Sequence, residues 1–442
     1  MPKQNRIRNS LKASFLDGVF ASAMNGLTTD YITPYALFLK ANALQIGFLS
    51  AFPNLSSAFV QLATPELTEK LKSRKKVINL FVFLHLLMFI PIIFIPYLCK
   101  WQTVLFLVIF ITLCSSFNAI ANPAWSSLLS EHIPFKSRGK YFGWRSKILS
   151  AVTVVFAFIS GFILHNFRHD LLKGFLIIFS LAFLLRFISW YFLTQMQEIR
   201  LRIKREAYFS FFDFIKRIRA SNFVKFVIFV SALNFCVNMA APFFSVFMLR
   251  DLKFNYIIYT ILVTAVPVAH ILTIDRWGRL ADRIGNIRIL KITSLFIASL
   301  PFLWIINQNP FYLIFVQVLS GFAWAGFGLC ATNFIYDAVS PEKRTRCIAY
   351  FNVLVGSALC LGALLGGYLL NFLPPLFNYK ILSLFLIASI LRFLVAIFLS
   401  CKIKEVRPVE NIKSKDLFFS VARLKPIVRV NSDPRDLLRQ EE

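Results

Sequence analysis

Acidic residues are scarce in this chain: 21 Asp and Glu stand against 49 Lys and Arg, with only five His. No nucleophile, base and orienting group converge, and no carboxylates or imidazoles cluster at metal-ligand spacing, so neither an enzyme nor a metal or other cofactor is expected. The seven Cys (Cys99, Cys114, Cys236, Cys330, Cys347, Cys360 and Cys401) are scattered without a C-x-x-C pair. That excludes a disulfide framework or a thiolate cluster. No G-x-x-x-x-G-K-[ST] loop occurs, so nucleotide hydrolysis is not an expected energy source. Charged residues of both signs make up only 16% of the chain, whereas hydrophobic residues make up 57% and include 51 Phe. This is too apolar for a water-soluble domain.

Twelve apolar stretches are legible, at about 14–39, 44–65, 77–98, 102–128, 142–165, 174–196, 222–249, 255–274, 289–306, 311–336, 347–372 and 379–401. Each is close to or above the ~20 residues that cross a hydrocarbon core about 30 Å thick. The expected fold is therefore an all-α polytopic membrane protein of 12 transmembrane helices. Placing the N-terminus inside puts 40 of the 49 Lys and Arg in the termini, the central linker and the even-numbered connections, and seven in the odd-numbered ones. The positive-inside rule then makes both termini cytoplasmic, in the inner, cytoplasmic membrane of the cell. Retention of these loops accounts for the +28 net charge, and no nucleic-acid partner is expected. Arg6, Arg8 and Lys12 ahead of an apolar run have the look of a signal peptide, but Asp17 interrupts that run and the segment continues to Leu39. It reads as an uncleaved first helix.

A short phrase is written twice. Ser22-Ala23-Met24-Asn25 with Asp30 and Pro34 returns as Ser231-Ala232-Leu233-Asn234 with Asn238 and Pro242, and Leu185-Arg186-Phe187 returns as Leu391-Arg392-Phe393. One offset near 208 aligns six helices onto six, which predicts two parallel repeats. The expected units are a bundle over 1–197, a linker over 198–221, a bundle over 222–401 and a tail over 402–442. In the linker, Phe209, Phe211, Phe212 and Phe214 alternate with Lys216, Arg217 and Arg219, a pattern suited to a helix in the cytoplasmic headgroup layer. The tail is polar and is expected to be partly disordered.

Gly278-Arg279-Leu280-Ala281-Asp282-Arg283-Ile284-Gly285-Asn286-Ile287-Arg288, between the eighth and ninth stretches, resembles the G-x-x-x-D-R-x-G-x-x-R loop of the major facilitator superfamily. The matching segment of the first half departs from that pattern at Pro65, Glu69, Lys70, Lys72 and Lys75. Glu131, Pro134, Arg138 and Gly139 are similar to the E-x-x-P-x-x-x-R-G loop of sugar porters in that superfamily, and Asp337, Pro341 and Arg346 form its spaced-out partner. Pairs among these charges can hold one repeat against the other and break in the next state. Gly278, Asp282, Arg283, Gly285, Arg288, Glu131, Arg138, Asp337 and Arg346 are the expected gating residues. Arg186 and Arg392 join them, since an unpartnered guanidinium inside a membrane would cost ~2.5 to 3.5 kcal/mol or more. Glu131 is the expected partner of Arg186, Asp337 that of Arg392, and Arg145 that of Asp17.

The resemblance implies that helices one, four, seven and ten line a central cavity. Those helices carry much of the intramembrane polarity, and Asn25, Thr29, Asp30, Asn118, Asn122, Trp125, Asn234, Asn238, Trp324 and Asn333 are the expected substrate contacts. Taken singly, each is equally a helix–helix hydrogen bond. Asp30 is the expected proton-coupling residue, because its repeat partner Asn238 is uncharged and a carboxyl in an apolar cavity can take up and release a proton. Gly356, Gly362, Gly366 and Gly367 are expected to allow close helix approach. The resulting expectation is a monomeric secondary transporter in the lipid bilayer, moving a small-molecule substrate by alternating access with protons as coupling ion, in the direction of uptake. Efflux of amphipathic compounds is the alternative, disfavoured because the fifth stretch lacks the Gly-Pro-rich pattern of proton-driven drug exporters. A non-transporting membrane receptor is the alternative of another class.

Overall fold

The computed structural model describes residues 3–98, 102–133, 138–198, 221–339 and 341–406. Twelve helical segments follow one another among them. The first, α1, runs over Lys3–Thr28 and passes through a 3-10 turn at Thr29–Tyr31 into Ile32–Phe38; α2 spans Ala43–Val60 and carries on through Thr64–Leu71. Next come α3 (Arg74–Leu87, then Phe89–Leu98), α4 (Thr103–His132), α5 (Arg138–Asn166) and α6 (Leu171–Gln195). The second half contains α7 (Asn222–Val246), α8 (Tyr256–Ile284), α9 (Asn286–Ile306), α10 (Pro310–Ala338), α11 (Pro341–Leu369) and α12 (Lys380–Phe398). One isolated bridge, Leu376 to Tyr379, is the only β feature among the described residues. Helices are what a bilayer demands, because each satisfies its backbone N–H and C=O groups internally.

Eleven of the twelve are long and apolar enough to cross a membrane. The remaining one is α1, whose Asp17, Asn25 and Asp30 lower its apolarity. It is held by packing on α5 and α6. Several helices extend beyond the apolar stretches: α8 continues to Ile284, so most of the Gly278 to Arg288 segment, expected as a loop, is the last turns of a helix. Gly285 alone breaks it, at φ 90°, a backbone conformation that side chains with a Cβ rarely adopt. The linker over 199–220 and the tail beyond 406 lie outside the described residues.

The second half repeats the packing of the first. In the first, α1 lies on α5 and α6 while α4 lies on α2 and α3; in the second, α7 lies on α11 and α12 while α10 lies on α8 and α9. The halves touch mainly along two seams, α2 against α11 and α5 against α8. These are equivalent pairs under the repeat.

A second duplication lies where each bundle ends. Glu198, just after α6, accepts hydrogen bonds from Ser73 Oγ and from Lys75 N (2.9 Å) at the start of α3. Glu405, just after α12, accepts from Ile287 N (2.8 Å) at the start of α9. The preceding residues are held in parallel fashion: Gln197 N donates to Ser10 Oγ of α1 (3.1 Å), and Lys404 exchanges two bonds with Asn222 of α7 (2.7 and 2.9 Å). Each carboxylate thus meets the unpaired N–H groups and positive dipole end of the third helix of its own repeat. Glu405→Ala is expected to remove about 1 kcal/mol of stability, the usual worth of a helix cap. Glu198→Ala should do the same in the other bundle, and the two losses should add, as for distant sites. Thermal unfolding of the detergent-purified protein checks this; an unchanged melting temperature in both variants would contradict the capping role.

Candidate functional site

The two halves are sealed against each other at one end. Pro34 lacks an N–H, so the carbonyl of Asp30, four residues earlier, loses its usual α-helical donor. Tyr259 Oη, on α8 of the other half, donates to that carbonyl at 2.5 Å. Beside it, the Tyr31 hydroxyl bonds Thr260 Oγ1 (2.6 Å) and Ala157 O (2.7 Å), tying α1, α5 and α8 together. The second seam closes through small residues: a Cβ on Gly47 would stand 2.8 Å from Ala363 O, and one on Gly367 would stand 3.0 Å from Ala43 O. These contacts lie at the ends where α1 and α11 finish and α2 and α8 begin, opposite the end that holds most Lys and Arg.

On the basic side of this seal is a cavity of about 540 Å³. Its polar lining comes from Asn54, Ser57 and Gln61 of α2, from Ser115, Asn118, Asn122 and Ser126 of α4, and from Asn352 of α11; Ala58, Pro123, Gly356 and Leu359 are among its apolar walls. A Cβ on Gly356 would meet Ala58 Cβ at 2.3 Å, so α2 and α11 are in backbone contact beside the cavity. At the basic end an ion pair spans the halves, Lys147 Nζ to Asp275 Oδ2 at 2.6 Å, with both side chains at least half exposed.

Of the ten expected substrate contacts, Asn118 and Asn122 line the cavity. Asn238 reaches its wall: buried on α7, it donates to Leu359 O (2.7 Å) and to Ser50 Oγ (3.2 Å), linking the halves where Asp30 has its repeat counterpart. The others stand elsewhere. Asn25 and Thr29 are exposed on α1, Asp30 is half-buried in the seal, and Asn234 returns its amide to Val230 O. Trp125 packs under the Arg145 guanidinium, 4.7 Å from its ring centroid, and half-buried Trp324 packs edge-on to Phe327. Asn333 is half-buried near the basic end of α10. Asn54, Gln61 and Asn352 were missed because helices two and eleven were not counted as cavity helices. A signal existed, since 54, 57 and 61 on α2, and 115, 118, 122 and 126 on α4, are polar stripes at helical spacing.

The two membrane arginines have different surroundings. Arg186 donates to Ser189 Oγ (3.2 Å) and to His85 Nδ1 (3.1 Å), and Ser189 Oγ donates to Asp17 Oδ1 (2.7 Å), which links the cation to a carboxylate; the Glu131 side chain expected beside it lies outside the described residues. Asp17 lies on the adjacent helix at a matching depth, whereas Glu131 is near the end of α4. Arg392 instead donates to the carbonyls of Cys236, Val237 and Ile297, and Asp337 accepts from Asn286 Nδ2 (2.9 Å). The carbonyls cluster where α7 nears its Pro242 and α9 passes, and they meet the cation without a carboxylate. Arg145 feels the charge of Asp17, but its hydrogen bond goes to Ser14 O at 3.0 Å. Asp282, Arg283 and Arg288 are each engaged with neighbours, and a Cβ on Gly278 would meet only Leu329, at 3.7 Å. The side chains of Glu131, Arg138 and Arg346 lie outside the described residues. The glycines of α11 behave as expected: a Cβ on Gly362 or Gly366 would collide with Phe235 O or Met239 O of α7.

Two matching helical bundles, sealed at one end over a polar cavity, make up the architecture of a membrane transporter. The chain belongs to the major facilitator superfamily, whose profile matches residues 14–269 and 229–434. Over 376 residues, 81% of this chain and 88% of the relative, it is 24% identical to the uncharacterized transporter MJ1317 of Methanocaldococcus jannaschii. It is 33% identical over 153 residues to the multi-drug resistance efflux pump PmrA of Streptococcus pneumoniae and 30% identical over 110 residues to the probable multidrug resistance protein EmrY of Escherichia coli. Those matches span 33% and 25% of this chain, and only 36% and 22% of the two relatives. Among solved structures, a D-xylose-proton symporter superposes with a TM-score of 0.69 at 12% identity, covering 91% of this chain and 98% of that one. The nucleoside transporter NupG gives 0.66 at 14% identity, covering 90% and 99%.

The seal depends on backbone approach, which a bulky side chain forbids. Gly47→Leu is expected to hold the sealed end apart, and Tyr259→Phe to weaken the seal about fivefold, the worth of one hydrogen bond near 1 kcal/mol. Spin labels at Lys173→Cys and Lys380→Cys, on the two halves at that end, should report longer distances in both variants. Unchanged distance distributions would contradict the assignment of the seal.

Proposed function

We propose that this protein is a monomeric secondary transporter of the cytoplasmic membrane that takes up a small solute by alternating access, driven by protons. The termini and the basic end face the cytoplasm, so the cavity communicates with the inside while the outer end is shut. The observation that carries the reading is the position of Asp30: it adjoins Tyr31, one tyrosine of the seal, and its carbonyl accepts from Tyr259, the other, so that it is one of the groups that binds the halves together. Closing the outer end takes water away from that carboxyl. A carboxylate desolvated without a cation costs several kcal/mol, so the closed seal is reached with the proton on. Protonation from outside then licenses closure, and loss of the proton toward the cavity resets the cycle.

A second reading, efflux, is supported by the sequence matches to the two multidrug resistance proteins. It keeps the same cycle and reverses the net direction.

Asp30→Asn fixes the neutral form. In proteoliposomes it should abolish accumulation driven by an imposed pH gradient while leaving solute exchange within about twofold of the parent. Gradient-driven accumulation that survives the substitution would remove Asp30 from the coupling. Accumulation only in vesicles whose inside is made the acidic side, with the protein oriented by its termini, would favour efflux.

A further inference from the structure

We infer that the cavity takes an uncharged solute rich in hydroxyl or amide N–H groups, and that it does not take organic ions; this rests on the transporter reading above. The first observation is what the lining lacks. Among the described residues no Asp, Glu, Lys, Arg or His contributes to it, although the chain has 49 basic residues. A charged ligand taken out of water into this cavity needs an opposite charge beside it. None of the described lining residues supplies one. Arg74, next to the basic end of α2, is engaged elsewhere: it is bonded to Ser127 Oγ (2.9 Å) and sits 3.8 Å from Glu198.

The second observation is the absence of rings. The chain holds 51 Phe, 13 Tyr and 7 Trp, yet none of the described residues that line the cavity is aromatic. Flat hydrophobic cations are held in water by stacking and cation–π contacts, and this wall offers neither.

The third observation is the direction of the polar groups. Asn54 Nδ2 donates to Ser50 O (2.7 Å) and Gln61 Nε2 to Ala58 O (3.3 Å), within their own helix. Their amide oxygens are left as acceptors on the α2 side. Across from them Asn118 and Asn122 of α4 and Asn352 of α11 have no side-chain partner among the described residues, so each presents both a donor and an acceptor. A solute that fills this space must donate hydrogen bonds toward α2 and exchange them with α4 and α11. Sugars, polyols, nucleosides and small neutral amides share that chemistry, and a volume of about 540 Å³ suits solutes of that size. Polar walls of this kind discriminate strongly, because a ligand lacking the matching groups leaves buried amides unpaired.

The test is a panel offered to the purified full-length protein in detergent: a free pentose, a pyrimidine nucleoside and a neutral dipeptide amide, against ethidium, tetraphenylphosphonium and benzoate, read by thermal shift and by tryptophan fluorescence. At least one neutral probe is expected to bind, with affinity lowered about five- to tenfold per amide by Asn122→Leu, Gln61→Leu and Asn352→Leu, as for loss of a buried hydrogen bond. The wild-type panel needs no variant to fold, and monodisperse elution qualifies each variant that is used. Binding of an ion that weakens on those substitutions overturns the inference, as does failure of every neutral probe to bind. Flux is read separately in proteoliposomes: a neutral probe that binds but never crosses would defeat the transporter reading and leave the class of ligand standing.

Discussion

The state of this molecule hangs on one carbonyl. Pro34 deprives α1 of the N–H that would pair with Asp30 O, and Tyr259 of the opposite half makes that bond instead. A helix defect that would be costly alone becomes the point where two bundles grip. Around it the contacts are short, and along the α2–α11 seam they rely on glycine for approach. The tyrosine bonds, the glycine contacts and the Asn238 to Ser50 bond all cross between the halves, with buried apolar side chains of both halves packed around them. The exposed ion pair at the other end, Lys147 to Asp275, adds little by comparison, since exposed pairs contribute about 1 kcal/mol at most. Two bundles, each with its own internal packing and joined along equivalent seams, can move against each other as rigid bodies.

Internal density has its own requirement, which the two repeats meet differently. Leu-Arg-Phe occurs near the end of the sixth helix of each half, and both arginines are almost fully buried, at 4% and 3% exposure. The first lies in a polar relay with Ser189, Asp17 and His85. The second is received by three backbone carbonyls. The carboxylate solution fixes α1 to α6 through side chains, whereas the carbonyl solution fixes α12 to the backbones of α7 and α9. Duplication preserved the cation and not its surroundings: Asp337, expected beside Arg392, accepts from Asn286 instead, while the Glu131 side chain lies outside the described residues.

The fold was legible because its signals are collective: twelve apolar runs, an asymmetric distribution of Lys and Arg, and a phrase repeated near one offset. The site was legible only in part. Asn118 and Asn122 were found because a family resemblance pointed to helix four, but α2 and α11 also reach the cavity, and their Asn54, Gln61 and Asn352 carry no mark beyond a polar stripe. The Glu198 and Glu405 caps were also in plain view, as Glu198-Ile199-Arg200 and Glu405-Val406-Arg407. They follow the last helix of each repeat, where a reader looks for a linker and not for the cap of a helix over a hundred residues earlier. Pairings of this kind depend on how helices cross, which no local pattern records.

The remaining step joins the seal to the cavity. Asp30 belongs to the seal and is not among the described residues that line the cavity, none of which is charged, so on the proposed reading the coupling proton and the cargo occupy different places. They need not touch to be linked. Asn238, the counterpart of Asp30 in the repeat, bonds both Ser50 of α2 and Leu359 of α11, and Leu359 is part of the cavity wall. A solute drawing α2 and α11 together would tighten the seam that Asn238 bridges, and a proton at Asp30 would permit the seam beside it to close. Each ligand favours the same closed arrangement through its own half of the pseudo-symmetric pair. Two ligands that stabilise one state assist each other's binding by the same factor, which is the thermodynamic content of coupling.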